Sequence, residues 1–155
     1  MAVLAGCTAG GTDASVAVVE RVVDGDTIVV TVGGDRERVR LIGIDTPEIA
    51  HEAFGDRAAT PDECYGPEAA ARLAGLLPPG SQVRLERDVV ARDDYGRLLA
   101  YVFLGDQLVN LDLVREGYAV PMTIEPNSAL ASGFVGAAAE AERHERGLWG
   151  RCVAE

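Results

Sequence analysis

Residues 16–48 read VAVVERVVDGDTIVVTVGGDRERVRLIGIDTPE, and this stretch decides the fold. Val16–Val23, Thr27–Val32 and Glu37–Ile44 are rich in β-branched side chains, with apolar and polar positions alternating as in half-buried strands. Gly33-Gly34-Asp35, between the second and third, is a hairpin turn, because consecutive glycines accept the positive φ that matches strand twist. Further along, Gln82–Arg87 and Leu98–Leu104 make two more short strands, joined by a charged loop containing Asp93-Asp94-Tyr95-Gly96. Five strands of this length cannot hide their apolar faces as a flat sheet, so closure into a small barrel is expected.

Three helical segments accompany the strands. Pro67–Leu77 opens on Pro with Glu beside it and stops before Pro78-Pro79-Gly80. Leu108–Glu116 places Leu108, Leu111, Val114 and Arg115 at helical spacing and closes on Gly117. Ser128–Arg146 is Ala-rich and ends at Gly147, ahead of Leu148-Trp149. A helix between the third and fourth strands is the arrangement of the OB-fold. The expected class is therefore α+β, a five-stranded OB-fold β-barrel with three helices. At 155 residues and 48% hydrophobic composition the chain supports one core. That core is expected in a single domain over 16–155, behind a Gly-, Ser- and Thr-containing tether at 1–15.

All 14 cationic side chains are Arg, set against 25 acidic ones, for a formal net charge of -11. That balance argues against capture of nucleic acid on a broad basic face. It leaves room for a phosphate site in which a few Arg and a bound cation reverse the sign locally.

Asp24-Gly25-Asp26-Thr27 joins the first strand to the second, and Asp45-Thr46-Pro47-Glu48 follows the third. Either cluster alone reads as a solvated turn. On a barrel that brings those strand ends together, two or three carboxylates converge and call for a cation. Arg40, five residues before Asp45 on the same strand, and Arg97, after the Asp93–Gly96 loop, offer guanidinium forks to phosphate oxygens. A hard cation, a carboxylate able to take a proton from water and two Arg are the parts of phosphodiester hydrolysis. Asn110, at a helix start, reads as a cap. His51 and His144, with no partner at acid-base spacing, read as surface residues, and Trp149 as a packing lid.

Four motifs together resemble the thermonuclease (staphylococcal-nuclease-like) family in order and spacing. They are Val23-Asp24-Gly25-Asp26-Thr27, Arg40-Leu41 through Asp45-Thr46-Pro47-Glu48, Tyr65-Gly66-Pro67-Glu68-Ala69, and Asp94-Tyr95-Gly96-Arg97 with Leu99-Ala100-Tyr101. The resemblance runs from about Val16 to Trp149. It implies Ca²⁺-dependent hydrolysis of phosphodiester bonds in DNA and/or RNA, releasing 3′-phosphate ends; a monomer is expected. It further implies that the side chains of Asp26 and Asp45 and the carbonyl of Thr46 hold Ca²⁺, and that Glu48 orients or deprotonates the attacking water. Arg40 and Arg97 would stabilise the five-coordinate transition state, Arg97 also assisting the leaving oxygen, and Tyr95 would touch a terminal phosphate.

The chain departs from the family in its base pocket, where Met122 and Ile124 stand in place of an aromatic pair if Pro126-Asn127 is the anchor. Asp94 stands where the prototype has Lys, and the loop from Ile49 to Glu63 contains no Lys. The competing reading is a non-catalytic OB-fold module that binds nucleic acid or protein. Such a module is not expected to keep Asp26, Asp45, Glu48, Arg40 and Arg97 together.

Of three cysteines, Cys64 and Cys152 make the simplest disulfide pair and leave Cys7 over. Leu4-Ala5-Gly6-Cys7 resembles a bacterial lipobox, although the charged start and apolar run of a signal peptide do not precede it. That reading makes Cys7 a lipidation site, with possible membrane anchorage through its lipid, and the chain a secreted or cell-envelope lipoprotein.

Overall fold

The structure, a computed structural model, describes residues 14–152. The expected lipidation site Cys7 lies outside the described residues. Strand β1 (Ala14–Asp24) pairs antiparallel with β2 (Thr27–Val32) through residues 18–24 and with β5 (Gln82–Glu86) through residues 14–18. Shifts of register between Val19 and Arg21 and between Val22 and Asp24 mark bulges, which bend the strand so that it can serve both neighbours. β2 pairs with β3 (Asp35–Leu41) across the Gly33-Gly34 turn, whose φ values of 59° and 86° are the ones glycine tolerates. β5 pairs with β6 (Leu98–Leu104), and the parallel pairing of Val39–Leu41 with Leu98–Ala100 closes the five strands into a barrel.

The inward residues of these strands fill the interior, although the anticipated alternation does not hold in β2, where residues 27–30 are all buried. Ala17, Val19, Ile28, Val30, Val39, Leu41, Val83, Leu85, Ala100 and Val102 are all buried. Helix α1 (Gly66–Leu76) buries Ala69 and Leu73. The short strand β7 (Gln107–Leu108) pairs with β6 and leads into α2 (Val109–Arg115). Helix α3 (Ala131–Arg143) lays Phe134, Ala138 and Ala141 into the interior and packs on α2. A final turn, α4 (Leu148–Arg151), carries Trp149 against the core.

Several boundaries differ from expectation for identifiable reasons. The third strand was expected to reach Ile44 but ends at Leu41. Gly43 takes φ 79°, and the Phe134 ring occupies the space where a Cβ would stand. The chain turns there, and Ile44-Asp45 form a separate strand, β4, paired with β8 (Val120–Pro121). Arg40 and Asp45 are therefore not on one strand.

The last long helix, expected over Ser128–Arg146, covers Ala131–Arg143. Beyond it the backbones of Gly117 and Gly147 touch where any side chain would overlap, and Leu148 N–H donates to the Gly117 carbonyl at 2.8 Å. Asn110 does not cap α2; Leu108 is the cap residue, without a side-chain bond. Asn110 is fully buried. Its Oδ1 accepts from Val102 N–H (2.9 Å), while its Nδ2 donates to the Ile42 carbonyl (2.9 Å) and the Ala100 carbonyl (3.3 Å). These are the backbone groups at the seam where β3 leaves the barrel, and burial demands that they be satisfied.

Candidate active site

The turn from β1 to β2 presents Asp26. Asp24 Oδ1 accepts the Asp26 N–H at 3.1 Å, a local carboxylate-to-backbone bond that shapes the turn. Asp26 itself is 3% exposed. Its Oδ1 accepts the Thr27 hydroxyl at 3.1 Å, and its Oδ2 accepts the Thr46 N–H at 3.0 Å. A Cβ on Gly25 would stand 2.7 Å from Thr46 Oγ1 and 2.9 Å from the Ala69 Cβ, so glycine is what lets this turn meet the segment after β4.

Arg40, at the end of β3, joins the two acidic segments. Its Nη1 lies 3.1 Å from Asp26 Oδ2 and its Nη2 lies 3.0 Å from Asp45 Oδ1. The same guanidinium donates to the carbonyls of Leu41 (3.1 Å) and Ile44 (3.0 Å), so the turn at Gly43 wraps around it.

Burial pushes the Asp26 carboxyl up from its ordinary 3.8 to about 6, against the pull of Arg40 and with help from Asp24. Asp45 is also raised, first by burial and then by Asp26, with Arg40 opposing and Glu63 adding. Two carboxylates thus share one guanidinium. Among the described residues no group of three or more His, Cys, Asp or Glu side chains forms a metal cluster. The two carboxylates are an all-oxygen pair, the kind of donor a hard cation takes.

Glu48 follows this pair with its side chain half exposed. Its N–H donates to Glu63 Oε2 at 3.0 Å, and its carbonyl accepts the Glu63 N–H at 2.9 Å. Its Oε2 lies 3.6 Å from His51 Nε2. His51 is at the surface as anticipated, its Nε2 within ion-pair distance of the Glu48 carboxylate three residues away on the same loop but beyond hydrogen-bond range. That loop is zipped shut by paired bonds between His51 and Thr60 and between Phe54 and Arg57, with Ala50 N–H donating to Asp62 Oδ1 at 2.6 Å.

Arg97 is held by Asp93, whose Oδ2 lies 2.7 Å from Nε and whose Oδ1 accepts the Arg97 N–H at 3.0 Å. Burial alone would raise the Asp93 carboxyl, but these bonds to Arg97 lower it. Tyr95 at the loop tip is 85% exposed, its ring centre 5.4 Å from the Arg97 guanidinium carbon. A cavity of about 380 Å³ runs from Arg40 past Arg97 and Tyr95 to Met122, Ile124 and Asn127. Asn127 fixes its far wall by accepting the Val90 N–H (2.7 Å) and donating to the Val90 carbonyl (2.9 Å).

Direct contacts therefore gather Asp26, Arg40, Asp45 and Thr46, and a common cavity adds Arg97 and Tyr95. Glu48 is attached through the chain and through Glu63. A second cavity of about 270 Å³ is lined by Asp45, Thr46, Glu63, Cys64 and Cys152. Cys64 and Cys152 are bonded to each other, with 5.9 Å between their Cα atoms. The motifs assign no role to Asp93 or Glu63, although Asp93 directly precedes the Asp94–Arg97 motif and Glu63 directly precedes Cys64.

A closed five-stranded barrel with one buried and one half-exposed carboxylate bridged by one arginine, and a second arginine across a shared cavity, defines the class of small OB-fold nucleases. The chain belongs to the family described as staphylococcal nuclease homologue, whose family model matches residues 38–151. It is 41% identical over 133 residues to the thermonuclease of Staphylococcus intermedius, covering 86% of this chain and 75% of that one. To the thermonuclease of Staphylococcus hyicus it is 37% identical over 129 residues, covering 83% of this chain and 72% of that one. To the SPbeta prophage-derived endonuclease YokF of Bacillus subtilis it is 37% identical over 137 residues, 85% of this chain but 43% of that longer protein.

Proposed function

We propose that this thermonuclease-type enzyme hydrolyses phosphodiester bonds of DNA and/or RNA with Ca²⁺ bound by Asp26, Asp45 and the Thr46 carbonyl, leaving 3′-phosphate ends. The observation that carries the reading is Arg40 bridging Asp26 at 3.1 Å and Asp45 at 3.0 Å, on the wall of the cavity that also holds Arg97. When bound, the ion supplies positive charge to draw in a phosphate and offset the charge of the transition state. Two irregularly placed carboxylates and one carbonyl suit Ca²⁺ better than Mg²⁺, which demands near-ideal octahedral geometry.

The remaining steps belong to the chain's own side chains. Glu48, exposed enough to meet solvent, accepts a proton from water as the water attacks phosphorus. Arg40 and Arg97 donate to the non-bridging oxygens, where charge accumulates in the five-coordinate transition state. Arg97 also stabilises the departing 5′-oxygen, so the phosphate stays on the 3′ side. Tyr95 and the cavity beside it receive the adjoining nucleotide.

The Cys64–Cys152 bond supports export to an oxidising compartment. Secretion as a monomer, or retention at the envelope through a lipid on Cys7, accords with it. Digestion of single- and double-stranded DNA and of RNA, with Ca²⁺, with Mg²⁺ and with chelator, tests the reading. Cleavage with Ca²⁺ and weak or no cleavage with Mg²⁺ is expected, with product ends open to a phosphatase specific for 3′-phosphate. Full activity in excess EDTA overturns it.

A further inference from the structure

We propose that Glu63 is a positioning residue that aims Glu48, and that the Cys64–Cys152 disulfide and Gly66 hold Glu63 to that task. The proposal rests on the reading of Glu48 as the residue that acts on the attacking water. The Glu48 carboxylate is half exposed and has His51 at 3.6 Å, beyond hydrogen-bond range, so its direction is inherited from its own backbone.

That backbone is gripped at two points by one residue. Glu63 Oε2 accepts the Glu48 N–H at 3.0 Å, and the Glu63 N–H donates to the Glu48 carbonyl at 2.9 Å. Together the two bonds close the loop 49–62 at its neck. Gly66 lies against the same carbonyl, because a Cβ there would overlap Glu48 O and come within 3.2 Å of Pro47 O. Gly66 N–H in turn donates to Glu63 O at 2.9 Å, making residues 63–66 one turn that leads into helix α1, which is anchored by buried Ala69 and Leu73.

Cys64 lies inside this turn and is bonded to Cys152, whose N–H donates to Leu148 O at 2.8 Å on α4. The grip is thus anchored to two helices distant in sequence. A group that must meet a water molecule in line with phosphorus gains from such bracing, since a misplacement of about 1 Å can cost a hundredfold in rate.

Glu63 also lines a cavity with Asp45, so its charge, rather than its hydrogen bonds, is the rival explanation of any effect. Two substitutions separate them. Gln at 63 keeps an oxygen able to accept the Glu48 N–H and removes the charge, whereas Ala removes both.

In steady-state kinetics on the full chain at saturating Ca²⁺, E63A should lower kcat about tenfold or more with KM changed by less than about twofold. E63Q should stay within about threefold of the unmodified enzyme. The C64A/C152A double variant should lose kcat in the same way, and adding E63A to it should cost little more, as two parts of one brace are not additive. Circular dichroism at the assay temperature verifies that each variant is folded; should E63A unfold, the disulfide-free variant and E63Q decide the matter.

E63Q as impaired as E63A overturns the positioning role in favour of charge. Unmodified kcat in E63A, or in C64A/C152A, overturns it as well. E48Q separates the two levels of the argument. An inactive E48Q beside a fully active E63A sinks the brace alone, while a fully active E48Q sinks the role of Glu48 and the brace with it.

Discussion

Arg40 Nη1 stands 3.1 Å from Asp26 Oδ2, yet the Asp26 carboxyl is still pushed up to about 6. Burial therefore outweighs the guanidinium, and the charged carboxylate is held at a cost that a second positive charge would relieve.

The first prediction concerns that cost. A carboxyl whose pKa is higher in the folded than in the unfolded chain binds protons more tightly when folded. Its effect on stability is therefore a loss as pH rises, from the unfolded value near 3.8 through about 6. A shift of this size corresponds to about 3 kcal/mol at neutral pH. In chelator at pH 7, D26N should be more stable than the unmodified chain by about 1 to 3 kcal/mol in urea unfolding, the difference shrinking towards pH 4. The same substitution should abolish Ca²⁺-dependent cleavage. D26N of equal or lower stability at pH 7 would refute the reading of this carboxylate.

Chemistry at the cavity gives the second. E48Q and R97K should each slow turnover by about a hundredfold or more, the scale of one preorganised transition-state contact. Both should melt near the unmodified temperature, because Glu48 is half exposed and Arg97 about a third exposed. Lys at 97 keeps the charge but loses the planar fork that Asp93 now orients. A loss below about tenfold in either variant would mean that the reaction is assigned to the wrong residues.

A third prediction follows from the aliphatic wall of the cavity. Met122 and Ile124 are 42% and 65% exposed and line the same space as Arg97 and Tyr95. An aromatic ring under a base is worth about 1 to 3 kcal/mol, which neither side chain supplies. M122Y with I124Y should lower the inhibition constant of a competing mononucleotide by about tenfold or more while leaving kcat within about twofold. An unchanged inhibition constant would show that the base does not sit in this cavity.

What the sequence makes legible here is short-range. β2 (Thr27–Val32) and β6 (Leu98–Leu104) run over the expected residues, since apolar, β-branched runs and turn glycines act within a few residues, although burial alternates in neither strand. The acidic turns at Asp24–Thr27 and Asp45–Glu48 are equally plain as motifs. Their meeting is not, because it depends on Gly25 being small against Thr46 and on Gly43 yielding to the Phe134 ring from α3. Asn110 shows the same limit: its residue type suits a cap locally, and only the seam between β3 and β6 makes it an internal bridge. The bond from Glu63 to Glu48 spans a loop to which no periodicity applies.

The last prediction concerns the Cys64–Cys152 bond, which closes a separation of 88 residues. It ties the turn before α1 to the end of α4, where Trp149 packs against the core. Closing a loop of this length removes unfolded-state entropy worth at most about 4 to 5 kcal/mol in the chain-entropy model, and native strain or residual structure reduces the figure. Reduction, or the C64A/C152A change, should therefore lower the melting temperature by up to about 10 to 15 °C in a chain of this size. In protein from an oxidising compartment, alkylation without reduction should leave both cysteines unmodified by peptide mass, and reduction should expose both. Alkylation of Cys64 and Cys152 in the unreduced protein would remove the bridge, and with it the strongest internal support for export. A bridge that forms but leaves the melting temperature unmoved on reduction would instead assign the whole stabilisation of the α4 end to the packing of Trp149 and to the Gly117–Gly147 contact.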